Sequence, residues 1–255
     1  MLTQTHEAAR EKCYPYYPQA NTSEIRLNPQ DEYEDGFIHD LKLVTEEKHE
    51  EARAQIRRLH MCTEDGSETR SIWHLLFAGW PDFLVPEGSD RAALLKLIEI
   101  SREKNPDLAN PRIVHCSAGV GRSGTFIALD WLLQELREGS LDELPDDVDP
   151  IISVVDTLRQ QRMMMVQGEA QLTFIYEVLR EQWRLRWIQR HPEEADRLGV
   201  TAVQSTSDEA QGPRLKRQKS GPSEPSSQIE VDEDERTELE AELMESDIDF
   251  DKGKK

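Results

Sequence analysis

The residues from His115 to Gly124 carry the clearest chemical signal in this sequence, reading His-Cys-Ser-Ala-Gly-Val-Gly-Arg-Ser-Gly. Glycines in such a loop let backbone N–H groups turn towards one centre, and a helix that begins there adds the positive end of its dipole. The segment therefore predicts a cradle for a tetrahedral anion. The residues expected to line the cradle are Ser117, Ala118, Gly119, Val120 and Gly121.

Cys116 stands at the mouth of this cradle, six residues before Arg122. A thiol beside a helix N-terminus and a guanidinium ionises below its usual pKa of about 8.5. An arginine can also hold two oxygens of one phosphoryl group, which a lysine does less well. The pair predicts a thiolate nucleophile directed at phosphorus.

The elements on both sides of the loop must position it. The β-branched residues 112–115 predict a short strand before the loop, and the apolar residues 123–137 predict a helix after it. Further segments follow the same alternation: strands are predicted at 37–44, 54–61 and 71–77, and helices at 89–102, 150–161 and 169–188. This pattern favours an α/β fold, with a sheet flanked by helices.

Composition and charge exclude several functions. The net charge of -20 repels phosphate backbones and argues against nucleic-acid binding. We expect no membrane association, because the sequence contains no apolar run of about 18 residues. Three cysteines favour reduced thiols over a disulfide scaffold. Together these features predict a cytoplasmic protein, with a nuclear alternative suggested by the basic island at 214–219.

The ten-residue segment is similar to the signature loop of the protein tyrosine phosphatase superfamily. The resemblance implies that Cys116 is the nucleophile, that Arg122 binds the phosphoryl oxygens and that Ser123 helps to expel the sulfur in a second step. It also places His115 among the catalytic residues. No metal or cofactor is implied.

A second motif, Trp80-Pro81-Asp82-Phe83, resembles the acid-bearing lid of this family. Phosphoryl transfer from tyrosine needs a proton for the departing phenolate. By the resemblance, Asp82 is the general acid and later the base, Phe83 contacts substrate and Trp80 supports the lid. Leu84 departs from the usual glycine of the classical family, which affects the hinge of the lid.

A third motif, residues 166–171, resembles the family's glutamine loop. The match makes Gln167 a water-positioning residue and Gln171 a loop-binding residue near the substrate, with Gly168 in place of the usual threonine. Glu7 matches the carboxylate that braces Arg122.

Basic and aromatic positions extend the resemblance. Arg159 and Arg162 match basic positions flanking the pocket, which a solvated helix face would explain equally well. Tyr17 occupies a position where tryptophan is common.

The resemblance runs from Met1 to about Trp187 and corresponds to the later part of a classical, non-receptor type catalytic domain. We therefore predict a partial tyrosine phosphatase-like domain over residues 1–190, built on a twisted mixed sheet, and a disordered acidic tail over 191–255. The family's tyrosine-containing loop, which walls the phosphotyrosine slot, has no counterpart. A shallower slot and an incomplete sheet edge, covered by a partner, are the expected consequences.

Several functions remain open at this point. The leading hypothesis is a phosphatase for phosphotyrosine-containing proteins; the alternatives are a phosphotyrosine-binding pseudophosphatase or scaffold and a dual-specificity phosphatase. A metal site would need His60 with Cys62, or His115 with Cys116, and neither pair has a second pair at zinc spacing.

Overall fold

The computed structural model describes residues 1–200, except for residues 8, 20–21, 82–83, 108 and 146. Within these residues six strands form in chain order: β1 His6–Glu7, β2 Arg10–Glu11, β3 Glu24–Leu27, β4 His39–His49, β5 Ala54–Thr63 and β6 Thr69–Phe77. Five α-helices follow: α1 Ser89–Glu103, α2 Gly121–Glu138, α3 Pro150–Gln161, α4 Glu169–Arg190 and α5 Pro192–Leu198. A short 3₁₀ turn, Ser140–Glu143, follows α2.

The main sheet has the strand order β3-β4-β5-β6, and these four strands pair antiparallel. The sheet gains a parallel contact where Met1 runs beside the end of β6. There the Met1 nitrogen donates to the Leu75 carbonyl at 2.9 Å, and the Phe77 N–H donates to the Met1 carbonyl at 3.0 Å. This single parallel pairing, made by a residue outside the strands, joins a sheet whose four strands are antiparallel, in line with the mixed sheet predicted from the resemblance.

The predicted strand at 112–115 is wrong. Within the described residues this segment makes a single backbone hydrogen bond, from the Leu2 N–H to the His115 carbonyl at 2.8 Å, instead of a repeated ladder. Ile113 is 87% exposed, so its β-branched side chain gains no packing that would favour a strand at this segment. The helix after the loop begins at Gly121, two residues before the predicted start.

Helix α2 is central to the main core. Its side chains Phe126, Leu129 and Leu132 are buried among residues of β5, β6, α1 and α4. Burying one such side chain contributes about 1.5 to 3 kcal/mol. The cradle at the start of α2 is therefore anchored by the most buried helix of the domain.

The last helix of the described residues falls in the segment predicted as a tail. Helix α5 lies beyond residue 190, with Pro192 in its first turn and Ala195 buried. Proline suits the first turn of a helix because its missing N–H would have no partner there. The rest of the predicted tail, residues 201–255, lies outside the described residues.

Candidate functional site: a phosphate cradle around Cys116

The sulfur of Cys116 lies at the start of α2. Its side chain is buried, and the Gly119 N–H donates to Sγ at 3.2 Å. Gly119 has φ +74°, a conformation that glycine adopts without steric cost and that turns its N–H inward. Helix α2 has no side-chain N-cap and no acidic residue in its first turn, so no side chain of that turn competes with an anion for the positive end of the helix dipole.

Opposing effects set the ionisation of Cys116. Burial raises its pKa, but the nearby hydroxyl and N–H of Ser123, the hydrogen bond from the Gly119 N–H and the charge of Arg122 together outweigh it. The pKa of the Cys116 thiol is therefore lowered. A thiolate is the stronger nucleophile, so the site favours attack on an electrophile.

Arg122 is held from two sides. It is 2% exposed, and its Nη1 donates to Glu7 Oε1 at 3.0 Å and to the Trp80 carbonyl at 3.1 Å. Glu7 Oε1 also accepts from the Thr3 hydroxyl at 2.9 Å, which fixes the carboxylate. The structure thus brings Glu7 and Trp80, both singled out in the sequence, against the arginine of the cradle.

Trp80 also spans the segment that resembles the lid. Its indole N–H donates to the Leu84 carbonyl at 3.0 Å, while its ring is buried against Phe174. The predicted acid Asp82 and the predicted substrate contact Phe83 lie between these two points and outside the described residues.

The two glutamines meet the first residue of α2. A Cβ atom added to Gly121 would lie 2.9 Å from Gln171 Nε2 and 3.2 Å from Gln167 Oε1. Gln171 is buried, and its Oε1 accepts from the Gln167 N–H at 3.0 Å and from the Gly168 N–H at 3.5 Å. A side chain at 121 would therefore require one or both of these amides to shift from their positions beside the cradle.

The two basic residues expected to flank the pocket differ. Arg162 is exposed, and its Nη2 donates to the Ala118 carbonyl at 3.1 Å, on the rim of the cradle. Arg159 donates to the carbonyls of Met165 and Val166 at 2.9 and 2.8 Å. Arg159 therefore braces a neighbouring turn.

Tyr16 is a site residue that the motifs did not single out. Its hydroxyl lies 2.6 Å from His115 Nε2, and His115 Nδ1 lies 3.0 Å from the Cys116 carbonyl. A carbonyl only accepts, so Nδ1 carries the proton, and Nε2 accepts from Tyr16. Burial lowers the pKa of His115, against the opposing hydrogen bond to Cys116, and keeps the ring neutral. The tyrosine thus fixes the tautomer of the residue before the nucleophile.

Neither a metal-ligating cluster nor a membrane-spanning helix is found among the described residues. Within the described ranges, His, Cys, Asp and Glu side chains form no group of three or more able to hold a metal ion. No helix in the part of the chain that the structure describes is both long and apolar enough to cross a membrane.

Known proteins of one family are similar to this chain in sequence. Residues 1–181 match the family model for protein-tyrosine phosphatase. The chain is 33% identical over 181 residues to the tyrosine-protein phosphatase Lar of Drosophila melanogaster, covering 71% of this chain and 8% of the relative. It is 32% identical over 179 residues to a Lar-like tyrosine-protein phosphatase of Caenorhabditis elegans, covering 70% of this chain and 7% of the relative.

Solved structures show the same fold. The Trypanosoma brucei protein tyrosine phosphatase TbPTP1 superposes with a TM-score of 0.59 at 26% identity, covering 78% of this chain and 60% of that chain. A structure of PTPN18, which concerns its fingerprint on distinct HER2 tyrosine phosphorylation sites, superposes with a TM-score of 0.58 at 26% identity. The match covers 71% of this chain and 58% of that chain. The chain therefore spans less than two thirds of these relatives. With a family model matched over most of its described residues, this chain belongs to the protein-tyrosine phosphatase family.

Proposed function

We propose that this chain hydrolyses phosphotyrosine in proteins through a cysteinyl-phosphate intermediate, as a phosphoric monoester hydrolase. The observation that carries the proposal is the Cys116 sulfur, buried at the start of α2 with a lowered pKa and an amide donor 3.2 Å away. A buried arginine, fixed by Glu7 and the Trp80 carbonyl, stands beside it. Such a set of donors binds and stabilises a transferring phosphoryl group.

The first step transfers the phosphoryl group to sulfur. The Cys116 thiolate attacks phosphorus, and the bond from phosphorus to the phenolic oxygen breaks as the S–P bond forms. Asp82, in its carboxylic acid form, gives its proton to that oxygen, so tyrosine leaves neutral. Arg122 and the inward N–H groups of the cradle hold the three remaining oxygens.

The second step returns the enzyme to its starting state. Gln167 orients a water molecule, the Asp82 carboxylate takes one of its protons, and the water oxygen attacks phosphorus. The S–P bond breaks, inorganic phosphate leaves and the thiolate returns. The hydrogen bond from the Gly119 N–H stabilises that thiolate, and the nearby Ser123 hydroxyl is placed to do the same.

Removing the nucleophile tests this mechanism. We expect Cys116→Ser to abolish phosphate release from an aryl phosphate, and Cys62→Ser, on β5, to leave it unchanged. Asp82→Asn is expected to lower the rate about 10²- to 10⁴-fold, the range of general acid catalysis. Phosphate release that persists in Cys116→Ser would contradict the proposal.

Specificity for tyrosine is the finer part of the proposal. One related structure is titled as PTPN18 in complex with HER2 phosphopeptides, which supports phosphotyrosine-containing proteins as substrates. A comparison of phosphotyrosine with phosphothreonine peptides separates this class from a dual-specificity enzyme. Turnover of phosphotyrosine peptides alone supports tyrosine specificity, and equal turnover of both peptides contradicts it.

That a partner covers part of the sheet stays a prediction.

A phosphotyrosine-binding module is the second candidate. The groups that would hold the phosphate come from the cradle and Arg122, whereas the predicted acid comes from a separate segment, so capture without turnover is chemically feasible. Titration of the chain with a phosphotyrosine peptide, followed by a phosphate assay, separates the two. Binding without release favours the module.

A further inference from the structure

A buried guanidinium lies on β5, an inner strand of the main sheet. Arg57 on β5 is 6% exposed. Its Nη2 pairs with Glu46 on the neighbouring strand β4 at 2.6 Å and also donates to Gln55 Oε1 at 2.6 Å. A buried charge is costly unless it is paired and hydrogen-bonded, so these two partners explain why Arg57 can lie there.

The other side of this guanidinium contacts two rings. Arg57 Cζ lies 4.7 Å from the centroid of the Tyr17 ring, within the range of a cation–π contact. Arg57 Nη1 lies 3.4 Å from His74 Nδ1. The rings of Tyr17 and His74 pack together with centroids 4.4 Å apart. Burial, with a smaller contribution from Arg57, lowers the pKa of His74 to about 3, so its neutral ring accepts this bond.

These two rings form the seat of Tyr16. The Tyr16 ring meets His74 edge-on with centroids 5.7 Å apart, and meets Tyr17 edge-on at 5.5 Å. Its hydroxyl is the group that donates to His115, next to Cys116. A continuous set of contacts therefore runs from the exposed carboxylate of Glu46 to the residue before the nucleophile.

We propose that Arg57, held by Glu46, is a positioning residue for Cys116: it fixes the seat of Tyr16, and thereby the His115 ring and the backbone carbonyl of Cys116. The inference rests on the proposed function of the cradle. Arg57 does not touch the cradle itself. Its effect reaches Cys116 through packed rings whose positions depend on the guanidinium plane.

The physical consequence concerns ionisation. If the seat loosens, Tyr16 no longer fixes His115, and the Cys116 sulfur loses its alignment with the Gly119 N–H. The thiol then ionises at a higher pH. The ionisable groups facing these rings are Arg57, Cys13, His115 and the amino group of Met1.

The test measures alkylation of Cys116 by iodoacetate between pH 5 and 9, read by mass spectrometry with Cys62 as the internal reference. Glu46→Gln and Arg57→Lys are expected to slow alkylation at pH 6 by about threefold or more, equivalent to half a pKa unit. Glu47→Gln is the matched control: it lies next to Glu46 on β4, is exposed, and should reproduce the parent curve. Tyr17→Phe keeps the ring and should do the same.

A merely structural role gives a different result. Variants that lower the melting temperature but keep the parent alkylation curve would overturn the inference. Glu46→Gln decides the matter if Arg57→Lys does not fold, because Glu46 is 39% exposed at the outer end of the set. The readout needs no turnover. If the chain releases no phosphate but its alkylation curve changes in the Arg57 and Glu46 variants, the proposed function alone is refuted. If the chain releases phosphate but the alkylation curve stays unchanged in those variants, only this inference is refuted.

Discussion

Two loops meet at the start of α2 and are held in opposite ways. In the cradle, residues 115–124, the one residue with a left-handed backbone conformation is a glycine, Gly119 at φ +74°. In the methionine turn, residues 163–166, two non-glycine residues have a left-handed backbone conformation: Met164 at φ +63° and Val166 at φ +60°. An L-residue in that region costs roughly 1 to 2 kcal/mol, and a β-branched one is rarely found there.

Contacts with residues outside the turn hold the methionine turn in this conformation. Arg159 binds the carbonyls of Met165 and Val166, and the Val166 N–H donates to the Val120 carbonyl at 3.3 Å. The backbone of the cradle instead takes its turn from its own glycine and from the helix that follows it, while the distant residues Glu7 and Tyr16 fix the side chains of Arg122 and His115. The comparison teaches that the backbone of the nucleophile's loop follows largely from local sequence, whereas the backbone of the turn that leads to the glutamines depends on contacts with residues outside it.

The contact between the two loops gives the largest expected effect. A Cβ atom at Gly124 would lie 2.5 Å from the Val166 backbone nitrogen, so either α2 or the turn must move. We expect Gly124→Ala to lower the free energy of unfolding by about 3 kcal/mol, at the upper end of overpacking. Urea denaturation measures it.

Gly168→Ala is the matched control for that substitution. Nothing lies within 4 Å of its Cβ position, and its φ of -117° suits any residue. We expect stability to stay equal or to rise by about 0.5 kcal/mol, because alanine restricts the unfolded chain. Equal losses in both variants would contradict a specific contact between the loops.

Removal of the arginine brace comes next. We expect Arg159→Met to cost about 2 kcal/mol, since two hydrogen bonds to backbone carbonyls from a charged donor are lost in a partly exposed setting. The turn also leads into Gln167, so the second chemical step should slow. Burst kinetics with an aryl phosphate would show accumulated intermediate. Arg162→Met, which loses one bond to Ala118, should affect stability less.

A substitution within the turn itself should raise the free energy of unfolding by a smaller amount instead of lowering it. Met164→Gly removes the strain of a side chain at φ +63° but adds the backbone entropy of glycine, for an expected net gain of about 0.5 kcal/mol. Met163→Gly relieves no left-handed strain and should lose about the same amount. Thermal unfolding of both variants measures the difference. A loss in Met164→Gly would show that the turn is not strained.

The same contrast explains what the sequence could predict. The cradle, the limits of α3 and the pairing of Glu7 with Arg122 all followed from local motifs or from the resemblance they carry. Tyr16 was missed as a site residue because its role depends on a contact 99 positions away in the chain.

Other features also depended on contacts that the sequence does not display. Strand β3 was not predicted, since it is short and forms only against β4. Arg159 was expected beside the pocket, but it braces the methionine turn instead. The sequence could not indicate this turn, because its residues with positive φ are not glycines. A valine at φ +60° carries no glycine signal.

The smallest expected effect belongs to the cradle alone. The pKa of Cys116 is lowered in the folded chain, because hydrogen bonds and Arg122 outweigh burial, whereas in the unfolded chain it stands near 8.5. Between the two values the unfolded state binds more protons, so stability should rise with pH there, level off above about 8.5 and vanish below the folded pKa. Subtracting the unfolding free energy of Cys116→Ser from that of the parent, pH by pH, isolates this contribution, and Cys116→Ala should give the same curve. The methionine turn has no ionisable side chain, so Met164→Gly should keep the parent slope; a changed slope would show that the two loops share the energetics of the thiolate.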